Sequence, residues 1–199
     1  KLHIEIEKIL TKTIIGINEQ LKNTNMRYLG FLYLGLMIDQ NNDIKVLEYN
    51  CRMGDPETQN LMIYLENMNI DFLNLMIDKK HDGNSDCNLD YMNEKKHYSC
   101  TLVLAASGYP NAYKKDFYID LSDINESENL KIFHAGTAME DDRIKSVGGR
   151  ILTINTFGSD RQKCINLAYE NIKKIRTYTD KEFRNEDNEL TFFREDIGR

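Results

Sequence analysis

The sequence predicts an α+β chain in two parts, and three observations carry that prediction. A long stretch at helical spacing leads into a hairpin pattern and then a second helix. A polar, irregular segment follows at residues 81–96. Beyond it, short apolar strands punctuated by glycine lead to a capped helix. The expected division gives residues 1–86 to the first part and 87–199 to the second. At 199 residues there is length enough for one large domain or two small ones, and for a real core.

In the first part, Ile6, Leu10, Ile14, Ile17 and Leu21 recur with the period of a helix. This predicts an amphipathic helix over 2–22 with one buried face, broken by Asn23-Thr24-Asn25. Tyr28 to Asp39 is mostly apolar and contains Gly30 and Gly35, which predicts a strand that is buried on both faces or curved. Gln40-Asn41-Asn42-Asp43 is turn chemistry. Ile44 to Asn50 is the return strand. Simple alternation puts Ile44, Val46, Glu48 and Asn50 on one face, which begins apolar and ends polar. Asp55-Pro56 reads as a helix N-cap followed by proline at the first helical position. The helix it opens is expected to reach about Lys80, with Leu61, Leu65, Met68, Phe72 and Leu75 inward.

In the second part, Ser99–Ala106 and Leu130–His134 read as strands. Ile144–Gly158 reads as a strand interrupted at Gly148-Gly149. Ser159-Asp160-Arg161-Gln162 has the form of a capping box, and the helix after it turns Ile165, Ala168, Ile172 and Ile175 inward.

Composition removes several classes of function. The net charge of −6 is spread along the chain, which leaves no basic footprint for a nucleic-acid partner. No apolar run is long enough to cross a membrane, and the start has no signal-peptide pattern. Cys51, Cys87, Cys100 and Cys164 share no C-x-x-C spacing, so they read as free thiols of a reducing cytoplasm rather than as a zinc site or disulfide framework.

Candidate chemistry gathers in Val46–Gln59. Glu48 and Asn50, two apart on a strand, lie on one face roughly 7 Å apart. One carboxylate and one amide oxygen suit Mg²⁺ or Mn²⁺, which takes one or two protein oxygens beside nucleotide phosphates. The neutral Asn would leave positive charge on the metal to act on those phosphates. The plain alternative is an exposed strand end. Arg52 is either a surface ion-pair partner or the cation that stabilises a transferring phosphoryl group. Asp55 is either a helix cap or, with the amide of Gly54 and the first amides of the helix, part of an anion site. His134 reads as a structural histidine or a base, and Gly148-Gly149-Arg150 as a turn or a phosphate site. The sequence has no Walker A loop, no H-E-x-x-H and no G-x-S-x-G.

These residues also resemble a known family. Leu32-Tyr-Leu-Gly-Leu-Met37 and Val46-Leu-Glu-Tyr-Asn-Cys-Arg-Met-Gly-Asp-Pro-Glu-Thr-Gln59 are similar to the nucleotide-site hairpin of the phosphoribosylamine–glycine ligases, which are ATP-grasp enzymes of purine biosynthesis. Ala106-Ser-Gly-Tyr-Pro110, Phe133-His-Ala-Gly-Thr137, Gly148-Gly-Arg150 and Arg194-Glu-Asp-Ile-Gly198 follow in the family's order. The resemblance implies the carboxy-terminal part of an ATP-grasp domain, an antiparallel sheet with helices, followed by a small mostly-β domain with a packed helix.

It further implies ATP and Mg²⁺ or Mn²⁺ as cofactors, and glycine and 5-phosphoribosylamine as substrates. Glycine would be ligated through a glycyl-phosphate to give glycinamide ribonucleotide, ADP and phosphate. Glu48 and Asn50 would then be metal ligands and Arg52 the catalytic residue at the phosphoryl centre. Gly54, Asp55 and Pro56 would shape the substrate side, and Leu36 would help floor the adenine pocket. The lid and its phosphate-gripping lysine would lie upstream of Lys1, making the amino-terminal half of the enzyme a required partner. Ser107 stands where the family usually has glycine, and Tyr33-Leu34-Gly35 offers no further carboxylate. The alternatives are a non-catalytic fragment or binding module, or an ATP-grasp ligase for another carboxylate and amine.

Overall fold

The computed structural model describes residues 2–26, 28, 30–72 and 96–198. The chain forms two compact units, 1–55 and 56–199. The expected division at 86/87 lies outside the described residues.

The first unit opens with α1 (Leu2–Leu21). Its inner stripe carries Ile6, Leu10, Thr13, Ile17 and Leu21, all half-buried, while Ile14 points to solvent at 52 % exposure. The stripe steps from Leu10 to Thr13, so Ile14 falls outside the expected face. Thr13 shares a hydrogen bond of 3.0 Å with the Tyr49 hydroxyl, tying the helix to β2.

Strands β1 (Tyr33–Ile38) and β2 (Ile44–Asn50) pair antiparallel. Asp39 Oδ1 closes the turn by accepting from the amides of Asn41 and Asp43, at 2.8 and 2.9 Å. Asn42 takes φ 65°, which its short polar side chain tolerates. The strand expected from Tyr28 starts only at Tyr33, because Tyr33 faces Asn50 and the partner strand ends there. Nor is it buried on both faces: Gly35 alone is buried, and Met37 and Ile38 are exposed.

The hairpin is not regular. Gly35 pairs with Glu48 and Leu36 with Val46, which leaves Leu47 as the extra residue of a β-bulge. Paired residues share a face and consecutive residues on β1 do not. Glu48 and Asn50 therefore face one side of the hairpin and Ile44 and Val46 the other. The single apolar-to-polar face expected from alternation is divided between two faces by one inserted residue.

The second unit begins with α2 (Glu57–Asn67). Pro56, rather than Asp55, holds the N-cap position, so the predicted cap and first helical residue each shift by one. The helix ends well short of Lys80. Asn69 adopts φ 54° and Ile70 N–H donates to Leu65 C=O at 2.9 Å, a left-handed C-terminal closure. Ile63 and Leu65 are its buried residues, and Leu61 is exposed. Leu75 lies outside the described residues.

Two four-stranded antiparallel sheets follow. One has the order β10 (Thr191–Phe192), β3 (Tyr98–Ala106), β8 (Arg150–Gly158), β5 (Leu130–His134). The other runs β6 (Thr137–Glu140), β7 (Arg143–Ser146), β4 (Tyr118–Asp120), β9 (Arg176–Tyr178). The interrupted strand of the sequence reading is thus two strands in different sheets, and Gly148-Gly149 carries the chain from one to the other. Close backbone approach explains the glycines. A Cβ on Gly136 would lie 2.6 Å from Gly148 Cα, and one on Gly149 would lie 2.2 Å from the Tyr109 ring.

Helix α3 (Arg161–Ile172) is capped by Asp160, whose carboxylate accepts from Lys163 N–H at 3.0 Å. Ser159, the expected cap, precedes it; the carboxylate is an equally good acceptor one residue nearer the helix. Cys164, Ile165, Ala168 and Ile172 pack with Cys100, Leu102, Leu104, Leu152 and Ile154 in one core. Each fully buried aliphatic side chain contributes about 1.5–3 kcal/mol by leaving water.

The β3/β8 sheet is covered on both faces. Thr156 donates to Cys164 C=O of α3 at 2.8 Å, while its strand neighbour Phe157 meets Tyr64 of α2 edge-on at 5.6 Å. On the α2 side, Asn155 is fully buried and saturated. Its Oδ1 accepts from Thr101 at 2.8 Å, and its Nδ2 donates to Thr153 Oγ1 and Lys131 C=O at 2.9 and 3.2 Å.

Candidate functional site

In the first unit the bulge at Leu47 determines what the polar string presents. Glu48 and Asn50 converge: Asn50 Nδ2 donates to Glu48 Oε1 at 3.0 Å. Gly35 sits opposite Glu48, and a Cβ there would come within 3.1 Å of Glu48 Cγ. The glycine thus clears the space that the Glu48 side chain occupies. Glu48 is exposed and Asn50 half-buried. Together they offer a carboxylate and an amide, hard oxygen donors of the kind that Mg²⁺ and Mn²⁺ take. Among the described residues no three His, Cys, Asp or Glu side chains gather as a metal cluster. The pair therefore fits a cation that draws its other ligands from elsewhere, such as nucleotide phosphates.

The other predicted residues of this unit are placed as follows. Arg52 is exposed and its Nη1 donates to Met53 C=O at 2.9 Å. Gly54 is buried and Asp55 half-buried. Leu36 is half-buried and pairs with Val46, so it lies on the hairpin face opposite Glu48 and Asn50. Pro56 opens the second unit.

In the second unit, two cavities share a wall formed by Pro56, Glu57, Thr101 and Ile197. The larger holds about 560 Å³ and the smaller about 320 Å³. Asn60 lines the smaller cavity, and its Oδ1 is buried with no hydrogen-bond partner among the described residues. Arg150 and Arg194 line the larger, together with Tyr109 and Phe192. Glu57, Asn60 and Arg194, which line these cavities, are not among the residues the sequence singled out. The three-residue step from Glu57 to Asn60 on one helix face was a signal for the first two, and the terminal Arg-Glu-Asp-Ile-Gly string for the third.

His134 is exposed and its Nδ1 lies 3.0 Å from Thr137 Oγ1, a local contact that fits the structural reading. Burial pushes the thiols of both Cys100 and Cys164 up from their ordinary value, which keeps them protonated and poorly nucleophilic. Cys51, Cys100 and Cys164 are all free.

Comparison with known proteins matches both units. The family model described as phosphoribosylglycinamide synthetase, C domain, matches residues 99–199, and that of the same synthetase's ATP-grasp (A) domain matches residues 2–58. Phosphoribosylamine–glycine ligase of Fusobacterium nucleatum is 38 % identical over 200 residues, covering 97 % of this chain and 41 % of the relative. That of Vibrio vulnificus is 40 % identical over 173 residues, covering 86 % of this chain and 36 % of the relative. The crystal structure of phosphoribosylamine–glycine ligase from Thermotoga maritima aligns with a TM-score of 0.65 at 30 % identity. It covers 95 % of this chain and 41 % of that one. The chain thus spans about two fifths of the length of the relatives it matches.

Proposed function

Because the chain belongs to the phosphoribosylglycinamide synthetase family, we propose that it is part of an ATP-dependent ligase that joins glycine to 5-phosphoribosylamine. The products are glycinamide ribonucleotide, ADP and phosphate. The observation that carries this reading is the convergence of Glu48 and Asn50 on the side of the hairpin cleared by Gly35, within the stretch that matches the ATP-grasp domain.

Glu48 and Asn50 would hold a divalent cation, Mg²⁺ or Mn²⁺. When bound, the cation supplies charge neutralisation for the phosphates of ATP. Arg52, exposed beside the Met53 carbonyl, supplies the cation for the phosphoryl group passing to glycine's carboxylate, because its planar fork matches phosphate oxygens. Attack by the sugar amine on the glycyl-phosphate forms the amide and releases phosphate. Gly54, Asp55 and Pro56 shape the substrate side of the turn; Leu36, on the hairpin face opposite the metal pair, is not assigned to the nucleotide pocket. The remaining three fifths of the relatives' length is the natural source of the lid and of the lysine that grips the nucleotide. Residues 1–86 and 87–199 form the ATP-grasp part and the C domain of that enzyme. Three free cysteines and a reaction that consumes ATP support a cytoplasmic location. Among the described residues no helix is long and apolar enough to cross a membrane.

The test is ADP release by the chain supplemented with the amino-terminal portion of a family member. Release that requires both glycine and 5-phosphoribosylamine supports the reading, and equal release without the amine overturns the substrate assignment.

A further inference from the structure

Tyr49 stands between Glu48 and Asn50 in β2 and faces the other way. It pairs with Leu34, whereas Glu48 pairs with Gly35 and Asn50 with Tyr33. Alternation therefore puts Tyr49 on the side of the hairpin opposite the polar pair. There its hydroxyl meets α1, 3.0 Å from Thr13 Oγ1. The Thr13 hydroxyl itself donates to Ile9 C=O at 2.9 Å. A hydroxyl has one hydrogen to give, so Tyr49 is the donor to Thr13. Two hydroxyls in series thus tie the strand to the backbone of the helix. Around this tie, Thr13 and Tyr49 border a hollow of about 510 Å³ with Gly16, Ile17 and Leu32. The hydrogen bond, rather than close packing, fixes the ring to the helix.

From this we infer that Tyr49 is a positioning residue for the cation pair. Anchored to Thr13, it fixes the rotation of β2 about its own axis, and with it the direction of Glu48 and Asn50 on the opposite face. The inference rests on the reading of Glu48 and Asn50 as cation ligands; Tyr49 acts through the strand and not as a ligand. An anchor is needed at this place. The bulge at Leu47 interrupts the ladder and increases the local twist immediately before Glu48. A two-stranded hairpin is also only marginally stable by itself. Mg²⁺ demands near-ideal octahedral geometry, so a small turn of the strand misplaces both oxygens at once. Phenylalanine at position 49 would cover the same face without the tie.

The experiment is Mn²⁺ titration of the 199-residue chain followed by electron paramagnetic resonance. It compares the parent with Y49F, T13V, T13S, the double variant Y49F/T13V and E48Q, each shown to be folded by circular dichroism at the titration temperature. Y49F keeps the ring and removes the donor, and T13V keeps the shape and removes the acceptor. Each should weaken Mn²⁺ binding by about three- to tenfold, the range of one neutral hydrogen bond. The double variant should weaken it no further than either change alone, since both remove the same bond. T13S keeps the hydroxyl and should bind within about twofold of the parent. Parent-like affinity in folded Y49F, additive losses in the double variant, or a loss in T13S equal to that in T13V each overturns the inference. No binding by the folded parent, or parent-like binding by E48Q, overturns the cation reading and the inference with it. Loss in E48Q with none in Y49F overturns the role of Tyr49 alone.

Discussion

Asn50 donates its amide hydrogen to Glu48 Oε1 at 3.0 Å, across two residues of one strand. The contact exists because the bulge at Leu47 has already turned both side chains to the face that Gly35 leaves open. Glu48→Gln should therefore leave folding almost unchanged, within about 0.5 kcal/mol, since the residue is exposed and an amide oxygen can still accept from Asn50. Mn²⁺ binding followed by electron paramagnetic resonance should fall steeply. A loss of stability in proportion to the loss of Mn²⁺ binding would assign Glu48 a structural role.

Gly35→Ala tests the other half of that relationship. The new Cβ would stand 3.1 Å from Glu48 Cγ, tighter than nine in ten such contacts, so the side chain must give by a few tenths of an ångström. Alanine in a strand recovers about 0.5–1 kcal/mol of backbone entropy relative to glycine, so net stability should change little. Mn²⁺ affinity should drop all the same. Unaltered affinity would show that the position of Glu48 does not depend on the glycine.

Gly136→Ala should be costly. Its Cβ would meet Gly148 Cα at 2.6 Å and Arg150 C=O at 2.6 Å, and both are backbone atoms that cannot rotate aside. Overpacking of this kind costs about 1–3 kcal/mol. Urea denaturation should show a lower midpoint with an unchanged slope, and a midpoint equal to the parent's would show that the two loops separate freely.

Asn155→Ala should destabilise by about 1–3 kcal/mol, because the Thr101 hydroxyl and the Lys131 carbonyl lose a buried partner. Thr101→Val in the same background should recover part of the loss by removing one of the stranded groups. A double-variant cycle with no coupling would mean that the two side chains act independently.

Glu140 provides a pH prediction. The Tyr118 hydroxyl donates to its carboxylate, as does Lys145 at 3.1 Å, and these bonds hold its carboxyl below the ordinary value. A folded-state value below the unfolded one gives stability that is fully present above the unfolded value, about 4.3. That stability is lost as pH falls through the folded value. Glu140→Gln should thus be less stable than the parent at neutral pH, with the gap narrowing as pH drops below 4. A gap that is constant with pH would rule out the charge as its source.

Much of this architecture was readable in the residues, because α1, β2, β3, β5 and α3 announce themselves by period and cap. The short strands β6, β9 and β10 did not, since two to four residues carry too little period. The end of α2 hinged on Asn69 accepting a left-handed conformation, which an apolar stripe does not reveal. Glu48, Asn50 and Arg52 stood out by residue type and spacing. Their orientation did not: a bulge is a property of two strands in register, and Leu47 looks like an ordinary strand residue until a partner is laid beside it.

The bulge at Leu47 makes the polar string sensitive to parity. Removing that single residue would preserve every carboxylate, amide and guanidinium of the string, and all their neighbours from Glu48 onward. It would also leave Gly35 opposite Glu48 and Leu36 opposite Val46 in regular register, so Glu48 and Asn50 would keep their present face. Keeping Leu47 as an ordinary paired residue is what would carry them to the face now held by Ile44 and Val46. Two chains with the same Glu-Tyr-Asn-Cys-Arg segment can therefore present opposite sides. Counting only the paired residues back to Val46 decides which of them has its polar groups on the working face.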